Sequence, residues 1–434
     1  MKSNKHIICC FAALSLLVAG CSKTEPAADL EKQVQGFGKT EQGSYIERTE
    51  TTVEAVRGGV LHLVTKQGDV EVDSWRRDEV RVVVEKRSDV SDEAQALALF
   101  EAFQVTTTPA SDTVQVRAGA REGDSLASVT VRLVVRVPSQ FGVYIETAKG
   151  GIVISDLGGD VEARTEWGGV TLDSVKGDVM AETGAGGITM NNVDGSMELK
   201  TGRGGITFNT VNGDVKAETG AGGITVNKGE GSMEVKTGAG GITFNTVNGD
   251  VNAETGAGGI TVNSGAGSVE VKADRGDIAI NQRKGDVKAE TGGGGIKVKD
   301  LSGPVVVRTR EGKIEISGAL GYIEATSESG SIEAELRIAD DGVDTHCKLL
   351  TGSGDVTIYL PKELAATIDA ELRIEGLARR DWAIYSDFPI DIGEESESRI
   401  VGRGEINGGG DPIVLRTKNG DIRIKKLKKG WKWW

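Results

Sequence analysis

The chain has 434 residues, of which 62 are glycine and 4% are aromatic, and its formal net charge is −14. The acidic balance argues against nucleic acid as a partner, because a surface that binds phosphates would be basic. The low aromatic content fits a thin, ladder-like core rather than a large globular one. Beyond the N-terminal segment, no stretch approaches the ~20 apolar residues of a membrane-spanning helix.

The N-terminus has the form of an export signal. Lys2 and Lys5 precede the apolar run IICCFAALSLLVAG, which ends at Cys21. The string VAGC resembles a bacterial lipobox, in which Cys21 would be lipidated and become the mature N-terminus, and Ser22 after it is compatible with the outer membrane of a Gram-negative cell. We therefore predict a lipoprotein signal peptide over residues 1–20 and a lipid anchor in the cell envelope. An ordinary cleaved signal is the alternative.

The cysteine inventory agrees with this assignment. Cys9 and Cys10 belong to the predicted signal peptide, and Cys21 would carry the lipid. Cys347 then remains alone, so no intramolecular disulfide can form. His346 precedes it, but neighbours on a strand point to opposite faces. We predict that Cys347 is a buried small hydrophobic residue and not a catalytic thiol.

Two regions precede the repeats. Residues 21–45 are polar and predict a flexible tether. Residues 46–140 hold alternating strand patterns, such as VLHLVT and VTVRLVVRVP, and one helical segment, SDEAQALALFEAF, with Ser91 as its candidate N-cap. We interpret this region as a β-rich cap with one helix, because the open edge of a repetitive sheet invites aggregation unless it is covered.

A strict repeat follows. From Gly150 to Gly330, twenty-one glycines succeed one another at intervals of nine residues. Each unit continues with apolar residues at positions 3 and 5 and polar residues at positions 4 and 6, which predicts a short strand with one buried face after a tight glycine corner. A constant step indicates one stacked structural unit, so we predict a β-solenoid over residues 141–338.

The length of one coil follows from the order of the units. One unit type reads GGITVN and the other GDVKAET or GSMEVKT, and the two types alternate. The stretch at 207–227 recurs at 243–263 with a single change, and this offset of 36 residues is a multiple of 18 but not of 27. We predict an all-β, two-sheet solenoid, similar to a β-roll or β-helix, in which two nine-residue half-coils make one coil, rather than a three-sided coil.

A column of charges supports this coil length. At a step of two units, position 6 of the second unit type alternates in sign: Arg164, Glu182, Lys200, Glu218, Lys236, Glu254, Lys272, Glu290. Stacked coils lie ~4.8 Å apart, where opposite charges attract by roughly 0.2–1 kcal/mol per pair and like charges repel. We predict a charge checkerboard on one sheet.

The other sheet carries two outward columns of uncharged residues. The threonine column is Thr171, Thr189, Thr207, Thr225, Thr243 and Thr261, and the asparagine column is Asn191, Asn209, Asn227, Asn245, Asn263 and Asn281. Threonine suits strands and stacked asparagines hydrogen-bond along a ladder, so structure alone can explain both columns. The columns also form a flat face with a regular ~4.8 Å spacing, which makes them the candidate binding face for glycans or ice.

The acidic residues of the repeats predict neither a metal site nor an active site. Calcium-binding β-rolls carry aspartate at position 6 of their nonapeptide, whereas Asp160, Asp178, Asp214, Asp250 and Asp286 occupy position 2 and suit turns. Glycoside hydrolysis needs a cleft and two unequal carboxyl environments, but the glutamates here alternate with lysines on a flat sheet. The sequence shows no P-loop, dinucleotide fingerprint, zinc spacing or Ser-His-Asp arrangement. We predict no catalytic residues, no cofactor and no metal.

Residues 339–434 keep strand patterns with irregular spacing, which predicts a C-terminal β continuation and cap. Within it, 374–412 is the most loop-like segment and the expected place for a specific ligand site. The tail offers candidate membrane contacts at Lys425, Lys426, Lys428, Lys429, Trp431, Trp433 and Trp434. Basic residues with tryptophan suit an anionic membrane surface, and tryptophans covering the last coil are the equal alternative.

Several strings resemble the bacterial putative-adhesin family, also called domain of unknown function 4097. They are GDVEVDSW, VRLVVRVP, the GGI and GDV repeats, GSGDVTIYLP and LRTKNGDIRIKK, and they cover residues 46–426. The resemblance implies a β-solenoid exported to the cell envelope, and the family offers no catalytic residues to transfer.

The expected function is therefore that of a non-enzymatic, lipid-anchored envelope protein, adhesin-like or structural. Its expected partners are the membrane, through the anchor, and a glycan or an envelope protein. Two other classes stay open. One is an envelope stress or signalling accessory that binds a partner protein through 374–412, and the other is an enzyme that acts on polysaccharide.

Overall fold

Each nine-residue step forms one strand and one corner, and two steps close one coil. The structure is a computed structural model that describes residues 33–121, 128–338, 342–376 and 381–427. Its strands form two long sheets, and each repeat strand pairs in parallel with the strand two units later, as Val215 does with Met233 and Met233 with Val251. The predicted two-sheet β-solenoid is confirmed.

The N-terminal region adds antiparallel strands to both sheets. Its elements are β1 (Gln33–Lys39), β2 (Tyr45–Glu54), β3 (Val60–Thr65), β4 (Asp69–Trp75), β5 (Glu79–Ser88), α1 (Glu93–Ala102), β6 (Phe103–Ala110), β7 (Thr113–Ala120) and β8 (Val129–Pro138). In one sheet β1, β2, β5 and β8 pair antiparallel in that order, and β8 leads through β4 into the repeats. In the other, β6 and β7 form an antiparallel pair beside β3. The edge strands at this end, β1 and β6, thus come from the cap and not from the repeats.

Two details of this region differ from the prediction. Residues 33–39 of the expected tether form β1, because they pair with β2. The helix begins at Glu93, and its N-cap is Asp92, whose carboxylate accepts a hydrogen bond from the Gln95 amide at 2.9 Å. Ser91 is therefore not the cap. Serine and aspartate are both favoured N-caps, so composition alone cannot choose between adjacent candidates.

The repeat strands alternate between the two sheets. They are β9 (Gly142–Lys149), β10 (Ile152–Ser155), β11 (Val161–Trp167), β12 (Val170–Lys176), β13 (Val179–Ala185), β14 (Ile188–Asp194), β15 (Met197–Arg203), β16 (Ile206–Asn212), β17 (Val215–Ala221), β18 (Ile224–Glu230), β19 (Met233–Ala239), β20 (Ile242–Asn248), β21 (Val251–Thr255), β22 (Ile260–Ala266), β23 (Val269–Ala273), β24 (Ile278–Asn281), β25 (Arg283–Lys284), β26 (Val287–Gly293), β27 (Ile296–Leu301), β28 (Val305–Glu311), β29 (Ile314–Ala319), β30 (Ile323–Ser329) and β31 (Ile332–Leu336). The sheet that contains β12 to β22 in even numbers is called here the Thr/Asn sheet, and the sheet that contains β11 to β23 in odd numbers the charged sheet.

The interior lies between the sheets and is filled by the residues at positions 3 and 5 of each unit. Phe208 and Phe244 contribute large side chains from the Thr/Asn sheet, and Ala217 and Ala253 contribute small ones from the charged sheet, and all four are buried. Many strands also turn a later residue inward, such as Val211 in β16. The core is therefore a thin continuous stack, as the low aromatic content requires.

The interior of the repeats also contains a charged side chain, that of Arg283. Arg283 is fully buried, and its guanidinium donates hydrogen bonds to backbone carbonyls that include those of Val247 at 2.5 Å, Ala266 at 2.8 Å and Gly249 at 3.0 Å. Gly265, one coil earlier, provides the room, since a Cβ there would lie 2.6 Å from the guanidinium. Burial lowers the pKa of this guanidinium. Arg283 thus ties together the corners of two earlier coils.

The corner glycines bring adjacent coils into close contact. Gly222 has a φ of +148°, and a Cβ at this position would lie 2.2 Å from the carbonyl oxygen of Gly204, one coil earlier. Gly204 approaches Gly186 in the same way, with a corresponding distance of 2.1 Å. A side chain at these corners would strain the backbone and collide with the neighbouring coil. This requirement explains why the nine-residue step does not slip.

The C-terminal region ends the rod with strands whose order in each sheet differs from their order in the sequence. They are β32 (Cys347–Thr351), β33 (Val356–Leu360), β34 (Ala366–Arg373), β35 (Ile384–Ser386), β36 (Asp391–Ser396), β37 (Arg399–Ile406), β38 (Asp411–Lys418) and β39 (Ile422–Lys426). In the charged sheet β38 lies between β32 and β34, and β37 and β36 follow as antiparallel strands. In the Thr/Asn sheet β39 lies between β33 and β35.

The segment 374–412, predicted to be mostly loop, instead holds β35, β36, β37 and the start of β38. All six residues of β36 are exposed, and this strand is the edge of the charged sheet. A strand with both faces in solvent shows no apolar alternation, so its sequence, DIGEES, resembles a loop. Charged residues on such an edge also discourage pairing with other chains.

We expect Gly222→Ala to destabilise the repeat region by about 1–3 kcal/mol, because alanine would adopt a strained backbone conformation against the Gly204 carbonyl. Gly293→Ala is the matched control, since a Cβ at Gly293 meets nothing within 4 Å. The control should change the free energy of unfolding by less than about 0.5 kcal/mol. Thermal unfolding of residues 22–434, followed by circular dichroism, measures both. Equal stability of the two variants would contradict the close approach of the coils.

Candidate functional site

The structure brings the six predicted threonines together in one straight row. Thr171 pairs in register with Thr189, and the same register continues coil by coil to Thr261. The residues on either side of each threonine turn inward, so the six side chains face outward and are half-buried. The row ends where Val153 and Ala279 take the same position.

The six predicted asparagines form a hydrogen-bonded ladder beside this row. Each side-chain Nδ2 donates to the Oδ1 one coil earlier: Asn209 to Asn191 at 2.5 Å, Asn227 to Asn209 at 2.7 Å, Asn245 to Asn227 at 2.8 Å, Asn263 to Asn245 at 2.9 Å, and Asn281 to Asn263 at 3.4 Å. An amide has two donors and one acceptor oxygen, so the ladder leaves one N–H and part of the oxygen for other contacts. The ladder also holds every amide in one orientation.

The threonine hydroxyls, unlike the asparagine amides, do not form a hydrogen-bonded ladder. In the part of the chain that the structure describes, none of the six hydroxyls has a hydrogen-bond partner. A hydroxyl both donates and accepts, so the row offers unused hydrogen-bonding groups at a spacing of ~4.8 Å. The twelve residues of the two columns are called here the Thr/Asn face.

The predicted charge checkerboard is present on the charged sheet. The register places Lys236 between Glu218 and Glu254, and the Lys236 Nζ lies 3.5 Å from the Glu254 carboxylate. In the neighbouring column, the Lys288 Nζ lies 2.6 Å from Glu270. The side chains of Lys236 and Glu254 are 46% and 50% exposed, so such a pair contributes at most about 1 kcal/mol.

A second threonine ladder, inside the charged sheet, was missed by the sequence analysis. Its hydroxyls donate to the carbonyl of the corner glycine fifteen residues earlier, as Thr219 does to Gly204 at 2.8 Å. The members that the structure describes with this bond are Thr165, Thr183, Thr201, Thr219, Thr237, Thr255, Thr291 and Thr309, and all are buried. The sequence signal for this ladder was the threonine at position 7 of the GDVKAET units. Strand alternation places position 7 in the interior, as it does positions 3 and 5, yet the residue there is polar.

The corner aspartates accept hydrogen bonds from backbone amides, as turn residues do, but these amides do not belong to their own turn. The Asp178 carboxylate accepts a hydrogen bond from the Ser196 amide at 2.9 Å, and the Asp214 carboxylate accepts one from the Ser232 amide at 2.9 Å. Each aspartate thus bonds to the next coil rather than to its own turn. Over the described ranges, no group of three or more potential ligand side chains is placed to hold a metal ion.

Cys347 is buried and chemically quiet. Burial raises the pKa of its thiol to about 12, so the reactive thiolate is scarce near neutral pH. The His346 ring points elsewhere, since its Nδ1 lies 2.8 Å from Asp344 and the ring stacks on Tyr322 with centroids 4.6 Å apart. The geometry therefore supports the interpretation of Cys347 as a packing residue.

The proposed membrane contacts are only partly within the described residues. Lys425 and Lys426 lie in β39, where their ammonium groups sit 5.6 Å from the Tyr359 ring centroid and 5.2 Å from that of Phe388. Lys428, Lys429, Trp431, Trp433, Trp434 and the lipidation candidate Cys21 lie outside the described residues. No helix in the described ranges is long and apolar enough to cross a membrane.

An arginine cluster at the C-terminal end was also not predicted. Glu371 in β34 is nearly buried and lies 2.6 Å from Arg373, 3.0 Å from Arg399 and 3.4 Å from Arg416. Its hydrogen bond to Arg399, together with the other guanidinium groups, lowers the pKa of this carboxyl to about 2. The cluster joins three C-terminal strands, which indicates a structural role.

The fold and its faces define a two-sheet β-solenoid protein with ordered, repetitive outer surfaces. No protein-family model matches the chain, and no curated protein matches its sequence. Among solved structures, it is similar to a putative cell adhesion protein from Clostridium sporogenes (9% identity, 88% of this chain and 100% of the other, TM-score 0.16). It is also similar to a putative adhesin from Bacteroides fragilis (11% identity, 72% and 95%, TM-score 0.20). These likenesses are too slight to carry an argument, so membership of the putative-adhesin family stays a prediction.

We expect Thr219→Val to lower the free energy of unfolding by about 1 kcal/mol, because it keeps the shape of the side chain and leaves the Gly204 carbonyl without this donor. Thr225→Val, on the outer face, is the control and should change stability by less than about 0.5 kcal/mol. Chemical denaturation of residues 22–434 measures both. If the two variants were equally stable, the inner ladder would contribute nothing.

Proposed function

We propose that this protein is a non-enzymatic, adhesin-like envelope protein whose solenoid is a rigid rod and whose Thr/Asn face contacts glycans. The observation that supports this most directly is the row of six threonine hydroxyls, which lack partners among the described residues, beside a fixed asparagine ladder. Sugars carry hydroxyls that both donate and accept, and the face offers both functions in return.

The rigidity of the face favours binding of a repetitive ligand. The Asn227 amide is held from both sides by its neighbours in the ladder, and the strands beneath are joined by main-chain pairing. A surface that is ordered before binding loses little entropy when it binds. Contacts that are weak singly can then add along a polymer, because each coil presents the same groups again.

The charged sheet supports a structural rather than a catalytic role for its glutamates. Glu218 lies between Lys200 and Lys236, and Glu254 lies between Lys236 and Lys272, so the environment repeats from one pair to the next. Acid–base catalysis on polysaccharide relies on two carboxyl groups whose surroundings separate their pKa values. The repetition favours the non-enzymatic alternative.

The test is a glycan-array and cell-surface binding screen with purified residues 22–434. We expect changing Thr207, Thr225, Thr243 and Thr261 to lysine to weaken binding at least about tenfold, since lysines there remove the hydroxyls and cover the face. The control changes Ala185, Ala221, Ala239 and Ala257 to lysine, which adds the same charge in a column that already holds Arg203 and Arg275.

Binding that survives in the threonine variant, or is lost equally in both, would overturn the assignment of the Thr/Asn face. The exposed β36 edge would then become the first candidate for a protein partner, in line with the alternative of an envelope signalling accessory. If the wild type shaped ice crystals and bound no glycan, an ice-binding function would replace this proposal.

The second part of the proposal is a lipid anchor at Cys21, which places the rod at the outer membrane. It is supported by the VAGC string after an apolar run. We expect the full chain, expressed in a Gram-negative host with a clickable fatty acid, to be labelled and to enter the detergent phase. Cys21→Ser should abolish both, and Cys347→Ser, at the buried thiol, should change neither. An unlabelled wild-type protein would disprove the anchor.

A further inference from the structure

A row of backbone amides runs beside the threonine row on the Thr/Asn sheet. The amides belong to position 2 of each unit, two residues before each threonine of the Thr/Asn face. Six exposed glycines in successive coils provide them: Gly169, Gly187, Gly205, Gly223, Gly241 and Gly259. In the described ranges none of these six N–H groups has a hydrogen-bond partner, so they are called here the open amides.

Elsewhere in the molecule, an aspartate side chain binds the amide at this position. At one end of the row the Gly151 amide donates to the Asp69 carboxylate at 2.8 Å, and at the other end the Gly295 amide donates to the Asp277 carboxylate at 2.7 Å. In both pairs the aspartate lies at the equivalent position one coil earlier. The corner aspartates of the charged sheet make the same bond. The position-2 amide is therefore a donor that this chain itself pairs with carboxylates.

The backbone does not require glycine at the open amides. Unlike Gly222, these six glycines do not have a φ in the left-handed region. A Cβ at Gly205 would have the carbonyl oxygen of Gly223, 3.2 Å away, as its nearest neighbour, and Asp277 shows that the row accepts a larger side chain. With glycine at this position, no side chain reaches the amide of the next coil, and a ligand can approach that amide from solvent.

The corner beside the open amides is positively charged. From Gly184 to Ala257, positions 8, 9, 1 and 2 hold glycine or alanine except for Arg203, and Glu166 and Asp274 take position 8 beyond the two ends of this stretch. Arg275 follows in the same column as Arg203, and neither arginine forms an ion pair with another described residue. The chain has a net charge of −14, but charges more than ~8 Å away are largely screened at physiological ionic strength. The local charge therefore favours an anion.

We propose that the glycan bound by the Thr/Asn face is an acidic polysaccharide, whose carboxylates accept the open amides while its hydroxyls meet the threonines. This inference rests on the proposed function of that face. Hydrogen bonds from backbone amides to carboxylates are stronger than those to neutral acceptors. Each coil offers one N–H and one hydroxyl, about 7 Å apart along the strand. An acidic polypeptide also carries carboxylates, but a polymer of uronic acid sugars adds the hydroxyls that suit the threonine row.

Two fluorescent probes test the role of the carboxylates. One is a linear oligosaccharide of uronic acid sugars, long enough to cover six coils at ~4.8 Å each, and the other is its carboxyl-reduced counterpart, which has the same linkages and no charge. Binding to residues 22–434 is measured by anisotropy. We expect the acidic probe to bind the wild type at least about tenfold more tightly than the reduced probe.

A pair of variants tests the amides. The first carries Gly187→Asn, Gly205→Asn, Gly223→Asn and Gly241→Asn, which place a neutral side-chain oxygen where Asp69 holds its carboxylate, so that the amides of the next coils gain an internal partner. The control changes the same four glycines to alanine, which adds the Cβ but no acceptor. We expect the asparagine variant to bind the acidic probe at least about tenfold more weakly than the wild type, and the alanine control to stay within about threefold. Neither variant changes the net charge, and circular dichroism checks that both keep their strands.

A second measurement uses the wild type alone and locates the carboxylates. In a spectrum of protein labelled with ¹⁵N-glycine, the amide signals that are missing from the alanine control belong to the four substituted glycines. We expect these signals to move when the acidic probe is added.

The inference is overturned if the two variants bind the acidic probe equally, if the four signals stay in place while the probe binds, or if poly-glutamate binds and the acidic probe does not. Equal binding of the acidic and reduced probes by the wild type would overturn this inference and leave the glycan function standing. If neither probe bound and the glycan screen were blank, both proposals would fail.

Discussion

The contact between corner glycines of adjacent coils is the constraint on which the rest of the rod depends. At Gly222 the backbone lies so close to the Gly204 carbonyl that no side chain fits, and the same carbonyl accepts the hydroxyl of Thr219 from inside. One atom thus fixes both the spacing of the coils and the position of a buried polar group. Because every coil repeats this contact, the outer side chains inherit a fixed spacing, and columns of identical residues become straight rows.

Much of the fold and of the Thr/Asn face could be predicted from the sequence. In a strict repeat, the position of a residue within its unit determines where its side chain lies on the rod. The alternating signs from Arg164 to Glu290 required a coil of two units, and that coil length placed the threonine and asparagine columns on one face. The features that escaped depend on what lies across the core. The sequence around Thr219 does not show that a backbone carbonyl lies within hydrogen-bonding distance of its hydroxyl inside the core. Arg283 is the single arginine in a column that otherwise holds valine, glycine or leucine from Val175 to Leu301, and its partners lie 16 to 36 residues earlier in the chain. The exposed strand β36 has no buried face to leave a pattern.

The two sheets divide the chemistry of the surface between them. The threonine and asparagine columns are uncharged, and their side-chain amides bond to one another, whereas the charged sheet alternates acids and bases. A flat polar face suits a ligand with many hydroxyls, whereas a checkerboard of paired charges uses most of its groups on one another. Because the Thr/Asn face runs from coil to coil, each added coil would lengthen this face by ~4.8 Å.

The alternation of charge also restricts how such a rod can change its length. The backbone repeats with every coil, but the pattern of signs in the charged columns repeats only with every second coil, and the near-identical stretches 207–227 and 243–263 are separated by two coils. In the column from Arg164 to Glu290, a single inserted coil would set two like charges side by side, whereas a pair of coils leaves every neighbour in that column opposite in sign. Insertions and deletions that keep the charge pattern therefore change the length of the rod by two coils at a time, in increments of about 10 Å.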